Sequence, residues 1–136
     1  MGYSKDMNLY QEALTDHYRN PRNKGTLQGA NFASKLYNPS CGDSIVWQGM
    51  VEAGSVGAIA FEGKGCVISQ GTASMLSAAV KGFSPDQIIA LDAPFMLSLI
   101  GLELGPTRLR CALLPLEALQ QGIIAYQKTI NTSAGN

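Results

Sequence analysis

Residues 32–61 read FASKLYNPSC GDSIVWQGMV EAGSVGAIAF, and this stretch decides the fold. Three runs in it have strand character: Phe32 to Tyr37, Ser44 to Glu52 (with Trp47) and Val56 to Phe61. Asn38-Pro39 and Gly54-Ser55 separate them as turn signals. Upstream the pattern is helical, because Met7, Tyr10, Leu14 and His17 recur at steps of three and four residues, the period of one helix face. Ser4 is placed to cap that helix, and Asn20-Pro21 ends it, since Pro disfavours helical geometry in the residue before it. After Cys66 the pattern returns to helices. Ser69 to Lys81 is rich in small residues and closes at Gly82, and Ser84-Pro85-Asp86 then opens a helix toward Leu99. A last helix runs from Thr107 to Ile130 on a stripe of Leu116, Leu119, Ile123, Tyr126 and Ile130; Pro115 either kinks it or starts it. This order of elements predicts an α+β fold, a small three-stranded antiparallel sheet with helices packed on one face. Residues 1–131 are expected to form one domain, and 132–136 a disordered tail.

Composition narrows the function classes. A chain of 136 residues suits one domain with a core of its own. Its 46% hydrophobic and 15% charged residues exclude disorder for the bulk of it. Ten basic residues against ten acidic ones, with no basic run, argue against a nucleic-acid or membrane-surface protein. The most apolar stretch, Ile88 to Leu104, is interrupted by Asp92, Pro94 and Glu103 and is too short to span a bilayer. Lys5, Asp6, Glu12 and Asp16 occupy the place of a secretory apolar region. The expectation is a cytoplasmic protein whose three cysteines are thiols or metal ligands, not disulfides.

Nucleotide-binding motifs are absent, so the glycines around Gly63-Lys64-Gly65 form no recognised phosphate cradle. His17 is the single histidine and lies on an amphipathic helix, where a structural role is expected; a Ser/His/Asp triad is thereby set aside. The cysteines stand 25 and 45 residues apart, with no C-x-x-C knuckle, and by spacing alone each reads as a small buried hydrophobe. Their surroundings point elsewhere. Cys41 lies in the turn sequence Asn38-Pro39-Ser40-Cys41-Gly42-Asp43, and Cys66 follows the turn Gly63-Lys64-Gly65 after a strand. Cys111 follows Arg108-Leu109-Arg110 near a helix start, where the helix terminus and the guanidinium groups favour thiolate; Arg108 as a mere surface ion-pair partner is the alternative. Three thiols at element ends, with Asp43 two residues from the first, can converge as a Cys3Asp set. Such a set suits zinc or an iron–sulfur cluster.

Six segments add specificity when taken together. They are Leu9-Tyr10-Gln11-Glu12, Asp16-His17-Tyr18-Arg19-Asn20-Pro21-Arg22-Asn23-Lys24-Gly25, Asn38-Pro39-Ser40-Cys41-Gly42-Asp43, Phe61-Glu62-Gly63-Lys64-Gly65-Cys66, Thr72-Ala73-Ser74-Met75 and Arg108-Leu109-Arg110-Cys111-Ala112. In this order they resemble the iron–sulfur cluster scaffold family of IscU, SufU and the NifU N-terminal domain. Gly65-Cys66-Val67-Ile68-Ser69, Ala73-Ser74-Met75 and an Arg three positions before Cys111 lean toward SufU. The short segment between Cys66 and Cys111 lacks the usual SufU insertion and is similar to IscU. Leu104-Gly105-Pro106-Thr107-Arg108 stands where the family carries a Leu-Pro-Pro-Val-Lys chaperone motif, which puts an Hsp70-type chaperone partner in doubt.

The resemblance implies an α+β fold of the SufE/IscU type in which Cys41, Asp43, Cys66 and Cys111 meet at one exposed end. It implies a scaffold, not an enzyme in the ordinary sense, that accepts sulfur from a pyridoxal-phosphate cysteine desulfurase. With iron it would build a transient [2Fe–2S] cluster for apo iron–sulfur proteins. Cys41 is the expected persulfide acceptor and Cys111 its rival, with Arg108 and Arg110 in support. The alternative is a SufU-type sulfurtransferase that holds Zn2+ at rest on the same four residues and takes up persulfide sulfur. A structural zinc domain without sulfur traffic is the remaining alternative.

Overall fold

The computed structural model describes residues 5–40 and 42–134, with side chains throughout except at 5–8, 10 and 132–134. The expectations resting on Ser4, on Cys41 and on the side chains of Met7 and Tyr10 lie outside the described residues. The elements are α1 (Lys5–Arg19), β1 (Phe32–Asn38), β2 (Asp43–Glu52), β3 (Ser55–Lys64), α2 (Val67–Ala79), α3 (Pro85–Ile89), α4 (Ala93–Ile100) and α5 (Pro106–Ala134). The three strands form one antiparallel sheet in the order β1-β2-β3, with Ser34 opposite Trp47 and Trp47 opposite Phe61. The α+β reading and the three strands are as the sequence predicted.

Strand pleating sends alternate residues to opposite faces. Along β2 that puts Asp43, Ile45, Trp47, Gly49 and Val51 on the buried face. The helices α2 and α5 cover this face, and Leu76, Val80, Leu119 and Ile123 pack there with Ile45, Trp47 and Phe61 in the main core. Trp47 is fully buried and stacks at a tilt on Phe61, their ring centroids 5.7 Å apart. Its indole Nε1–H donates to the carbonyl of Pro115 at 2.9 Å. A buried Trp keeps its N–H satisfied in this way, and here the bond also fixes where α5 sits along the sheet.

The helix α1 packs on α2, and Gly71 permits the close approach: a β-carbon there would stand 2.7 Å from Leu14 Cδ1 and 2.9 Å from the Leu14 carbonyl. Leu14, Met75, Ile100 and Ala112 make a second, smaller core at this junction. The loop after α1 then pairs with the outer edge of β3, since Phe61 N–H donates to the Asn23 carbonyl and Gly25 N–H to that of Phe61.

Three helix expectations need correction. α2 ends at Ala79 with Val80 as its cap, and Gly82 lies in the following turn at φ +89°, where its N–H bonds the Val56 carbonyl. The single helix expected from Ser84 to Leu99 is two. Ser84 and Gln87 form a reciprocal capping box at the start of α3, as the Ser-Pro-Asp signal predicted. Pro94 then cannot continue that helix, and Asp92 caps α4 instead by accepting from the Phe95 N–H at 3.0 Å. From α5, the Gln120 Nε2 donates to the carbonyls of Ile88, Ile89 and Leu91, which satisfies the end of α3. Finally, of the two positions expected for Pro115 the interior of the helix is the one found, and α5 starts earlier, at Pro106. The backbone of α5 runs past Ile130 to Ala134, through the first part of the segment read as a tail.

Replacing Trp47 by Phe removes the N–H and its bond to the Pro115 carbonyl while keeping most of the aromatic volume. The expected loss is about 1–3 kcal/mol of unfolding free energy. Urea denaturation followed by circular dichroism checks it, since Trp47 is the sole tryptophan. An unchanged midpoint would mean that the bond does not anchor α5.

Candidate functional site

Three elements deliver the site. Asp43 is the first residue of β2, on the core-facing side, and is 1% exposed. Cys66 is the N-cap residue of α2, directly after β3, and is exposed. Cys111 lies in the second turn of α5 and is 5% exposed. The Asp43 carboxylate and the two sulfurs all lie within 4.8 Å of one another. Of the four ligands expected from the sequence, these three converge, and Cys41 lies outside the described residues.

Local chemistry explains the placement of each. The hairpin between β1 and β2 is drawn tight by Asn38, whose carbonyl accepts from Gly42 N–H and whose side-chain oxygen accepts from Ser40 N–H. That is an Asx turn, and it delivers the chain to Asp43. One Asp43 oxygen accepts from the Cys66 backbone N–H at 3.0 Å, while the other lies 3.8 Å from the Cys66 sulfur. The same sulfur accepts from the Ser69 N–H at 3.4 Å, so a thiol serves as the cap of α2. Thiolate is the form of cysteine that ligates metals and attacks sulfur, and the start of α2 presents this sulfur for either. Ser69 is a functional neighbour that sequence reasoning missed, because capping rules look for Ser, Thr, Asp or Asn and pass over Cys.

Gly65 is needed between Lys64 and Cys66. Its φ of +148° is rarely open to a side chain, and a β-carbon there would collide with the Asp43 carboxylate. Arg108 and Arg110 are both exposed in the first turns of α5. Among the described residues neither forms an ion pair or a hydrogen bond. Arg108 lines a hollow with Val67, Leu102, Glu103 and Leu104 beside the site.

Two sulfurs and a carboxylate at this spacing are a competent soft donor set. Zinc–thiolate bonds of about 2.3 Å in a tetrahedron put ligand atoms about 3.8 Å apart, which the cluster reaches with sub-ångström to ångström shifts. The residues present therefore fit zinc, with one corner left for a further ligand, and equally fit iron held mostly by thiolates.

His17 is not part of this cluster. It is half-buried on α1, with Nδ1 2.8 Å from Ser74 Oγ, and that hydroxyl also accepts from the Arg22 N–H. The histidine thus joins α1, the following loop and α2, a structural role as expected. Burial holds its pKa below the usual 6.5; the nearby Arg22 guanidinium adds to this and Asp16 opposes it.

The model of the NifU-like N-terminal domain matches residues 9–133. Over 132 aligned residues the chain is 33% identical to the zinc-dependent sulfurtransferase SufU of Bacillus subtilis (strain 168), covering 85% of this chain and 89% of that protein. It is 34% identical to the iron–sulfur cluster assembly scaffold protein IscU of Streptococcus pyogenes serotype M1, covering 90% of this chain and 87% of that one. Among solved structures, the N-terminal part of a NifU-like protein from Brucella abortus superposes with a TM-score of 0.72 at 20% identity. It covers 90% of this chain and 96% of that one, and shows that the fold is shared.

Two outcomes are expected. Gly65→Ala should displace Asp43 or Cys66 and weaken zinc binding at least about tenfold, read by competition with a chromophoric chelator; unchanged affinity would show that the loop yields freely. For His17, the folded chain resists a proton that the unfolded chain accepts. Its contribution is therefore present above about pH 6.5 and is lost as the pH falls below that value. Denaturation midpoints between pH 7.5 and 5 should fall less steeply in His17→Gln than in the parent; identical slopes would exclude the residue as the source.

Proposed function

The chain belongs to the NifU-like N-terminal domain family, and from that premise we propose that it is an iron–sulfur cluster assembly scaffold. The observation that carries the reading is the convergence of Asp43, Cys66 and Cys111 from three separate elements to within 4.8 Å. Cys41, two positions before Asp43 in the chain, is assigned as the fourth ligand.

Sulfur enters by exchange. A thiolate of this chain attacks the outer sulfur of a persulfide on a pyridoxal-phosphate cysteine desulfurase, the new S–S bond forms here, and the donor's cysteine leaves as a thiolate. Cys41 is the assigned acceptor. The burial of Cys111 weighs against that thiol meeting a bulky donor first, and Arg108 and Arg110 are then left to support thiolate character at Cys111. The cargo is iron with this sulfur, reduced from persulfide to sulfide by two electrons per sulfur from a separate low-potential electron-donor protein, held as a [2Fe–2S] unit on Cys41, Asp43, Cys66 and Cys111 and released to apo iron–sulfur proteins. Asp43 serves release, because a hard oxygen donor binds one corner less firmly than a fourth thiolate would. The proposed location is the cytoplasm; among the described residues, no helix is long and apolar enough to cross a membrane.

A second reading is favoured by the 33% identity with a zinc-dependent sulfurtransferase and by the fit of the donor set to zinc. In it Cys41, Asp43, Cys66 and Cys111 hold Zn2+, which keeps the thiols deprotonated, and a released thiolate takes the sulfur. A structural zinc site is disfavoured by the extent of the main apolar core, which includes none of the four proposed ligands among the described residues.

The test is the iron, zinc and acid-labile sulfide content of anaerobically purified protein beside Cys41→Ser. Iron with matching sulfide, lost in the variant, is the expected result. One zinc per chain without sulfide, with persulfide formed on a thiol after incubation with a desulfurase and cysteine, would move the assignment to the sulfurtransferase. Collapse of the fold on chelation, read by thermal melting, would move it to the structural site.

A further inference from the structure

Beside Gly65, a cleft of about 390 Å³ opens between the end of β3, the start of α2 and the loop after α1. Arg19, Lys24 and Lys64 line it, and Gln70 contributes from α2. No carboxylate does. Among the described residues none of the three cations has an ion-pair partner. Gln70 is 7% exposed, and its side-chain Oε1 is buried without a hydrogen-bond partner among the described residues.

That oxygen cannot be relieved by turning the amide over. Gln70 Nε2 donates to the Ser44 carbonyl at 3.4 Å and to Ser69 Oγ at 3.1 Å, and a carbonyl can only accept. Oε1 is thereby left facing Gly63, where a β-carbon would come within 3.2 Å of it, and Gly63 lines the same cleft. An orphaned buried acceptor costs free energy unless a donor reaches it. The cleft therefore asks its occupant for two things at once, negative charge at the rim and an N–H or O–H at the floor.

The occupant's size follows from what adjoins the cleft. Lys24, Gly63 and Lys64 also line a second hollow on the open face of the sheet, with Lys35, Tyr37, Val46 and Glu62. The two hollows share Lys24, Gly63 and Lys64 at the end of β3, so we treat them as one furrow, with the exposed rings of Tyr18 and Tyr37 in its lining. Glu62 is its single carboxylate, against Arg19, Lys24, Lys35 and Lys64. The overall balance of ten against ten hides this local excess of positive charge. A furrow that passes from one sheet face to the edge of another element outruns a small metabolite and suits an extended segment.

We propose that this furrow docks an acidic, extended segment of a protein partner, its carboxylates paired with Arg19, Lys24 and Lys64 and one of its backbone N–H groups donated to Gln70 Oε1. Charge complementarity selects the partner, and the buried acceptor sets the register of the segment. Docking here leaves the thiol end open, so a partner held by the furrow reaches the site from beside it. The proposal concerns binding alone and does not depend on which cargo the thiols carry.

The test is an NMR titration of the 15N-labelled full-length protein with a capped four-residue peptide of Asp, Gly and Glu, following the Gln70 side-chain amide and the Gly63 and Lys64 backbone amides. Saturable shifts at these three positions that weaken with added salt are expected. Each of Arg19→Gln, Lys24→Gln and Lys64→Gln should weaken binding roughly two- to fivefold, as exposed charge pairs do. All three residues are exposed, so folding is not at issue. The same peptide N-methylated along its backbone keeps the charge and loses the donors, and should bind several-fold more weakly. Inorganic phosphate or an oligonucleotide matching the peptide would overturn the proposal in favour of a general anion site. Equal binding of the N-methylated peptide, or shifts that spare Gln70, would overturn the role of the buried acceptor. Because no metal or desulfurase is present, a failure here leaves the cargo assays untouched.

Discussion

The pleat of β2 sends Asp43 to the same face as Ile45, Trp47 and Val51, and that shared row ties the site to the core. The side chain most deeply embedded in the core and the carboxylate of the site belong to one strand face. Helices that pack on the tryptophan are therefore carried toward the carboxylate as well. The indole N–H donated to the Pro115 carbonyl locks α5 in its position along the sheet. Cys111 stands one helical turn before Pro115, so the bond that anchors the core also holds a thiol over Asp43. A slip of one residue in β2 would turn Asp43 to solvent and break the row.

A site meant to load and unload cargo needs ligands that are positioned without being enclosed. Two of the three described ligands are buried and one is exposed. Asp43 is held by the Cys66 N–H and hemmed in by Gly65, and the Cys66 sulfur is held by the Ser69 N–H. These are backbone donors, fixed by the strand–helix junction and available whether or not metal is bound. Positioning of this kind holds both groups in place before any cation arrives. The proposed docking furrow adjoins the same junction, since Gly63, Lys64 and Gly65 line it and Cys66 follows them in the chain.

Element types and most boundaries were legible along the chain because the signals are local. Asn38-Pro39, Gly54-Ser55, Ser84-Pro85 and Asn20-Pro21 act through dihedral preferences and caps within about four residues, and each falls where an element starts or stops. Where the reading failed, a distant residue or an overlooked cap had intervened. The break between α3 and α4 rests on Asp92 and Pro94, both visible in the sequence, but also on Gln120, which donates across 29 to 32 positions to the last carbonyls of α3. Gly82 was read as a helix cap from its type alone, whereas its N–H is drawn into a turn against Val56 of β3.

By itself the sequence determined the donor chemistry: three soft sulfurs and an oxygen at element ends, with Gly65 beside one of them, in an order similar to a known family. Residue type and local conformation are properties of short stretches, and short stretches carry them. Tertiary packing alone decided which groups meet. It brought Asp43 to Cys66 across 23 positions, His17 to Ser74 across 57 and Trp47 to Pro115 across 68. It also left one oxygen of Gln70 buried without a partner among the described residues, in a cleft lined by Arg19, Lys24 and Lys64. Such distances are settled by how the apolar faces of β2, α2 and α5 interlock, because only the closed core brings residues far apart in the chain within reach of one another.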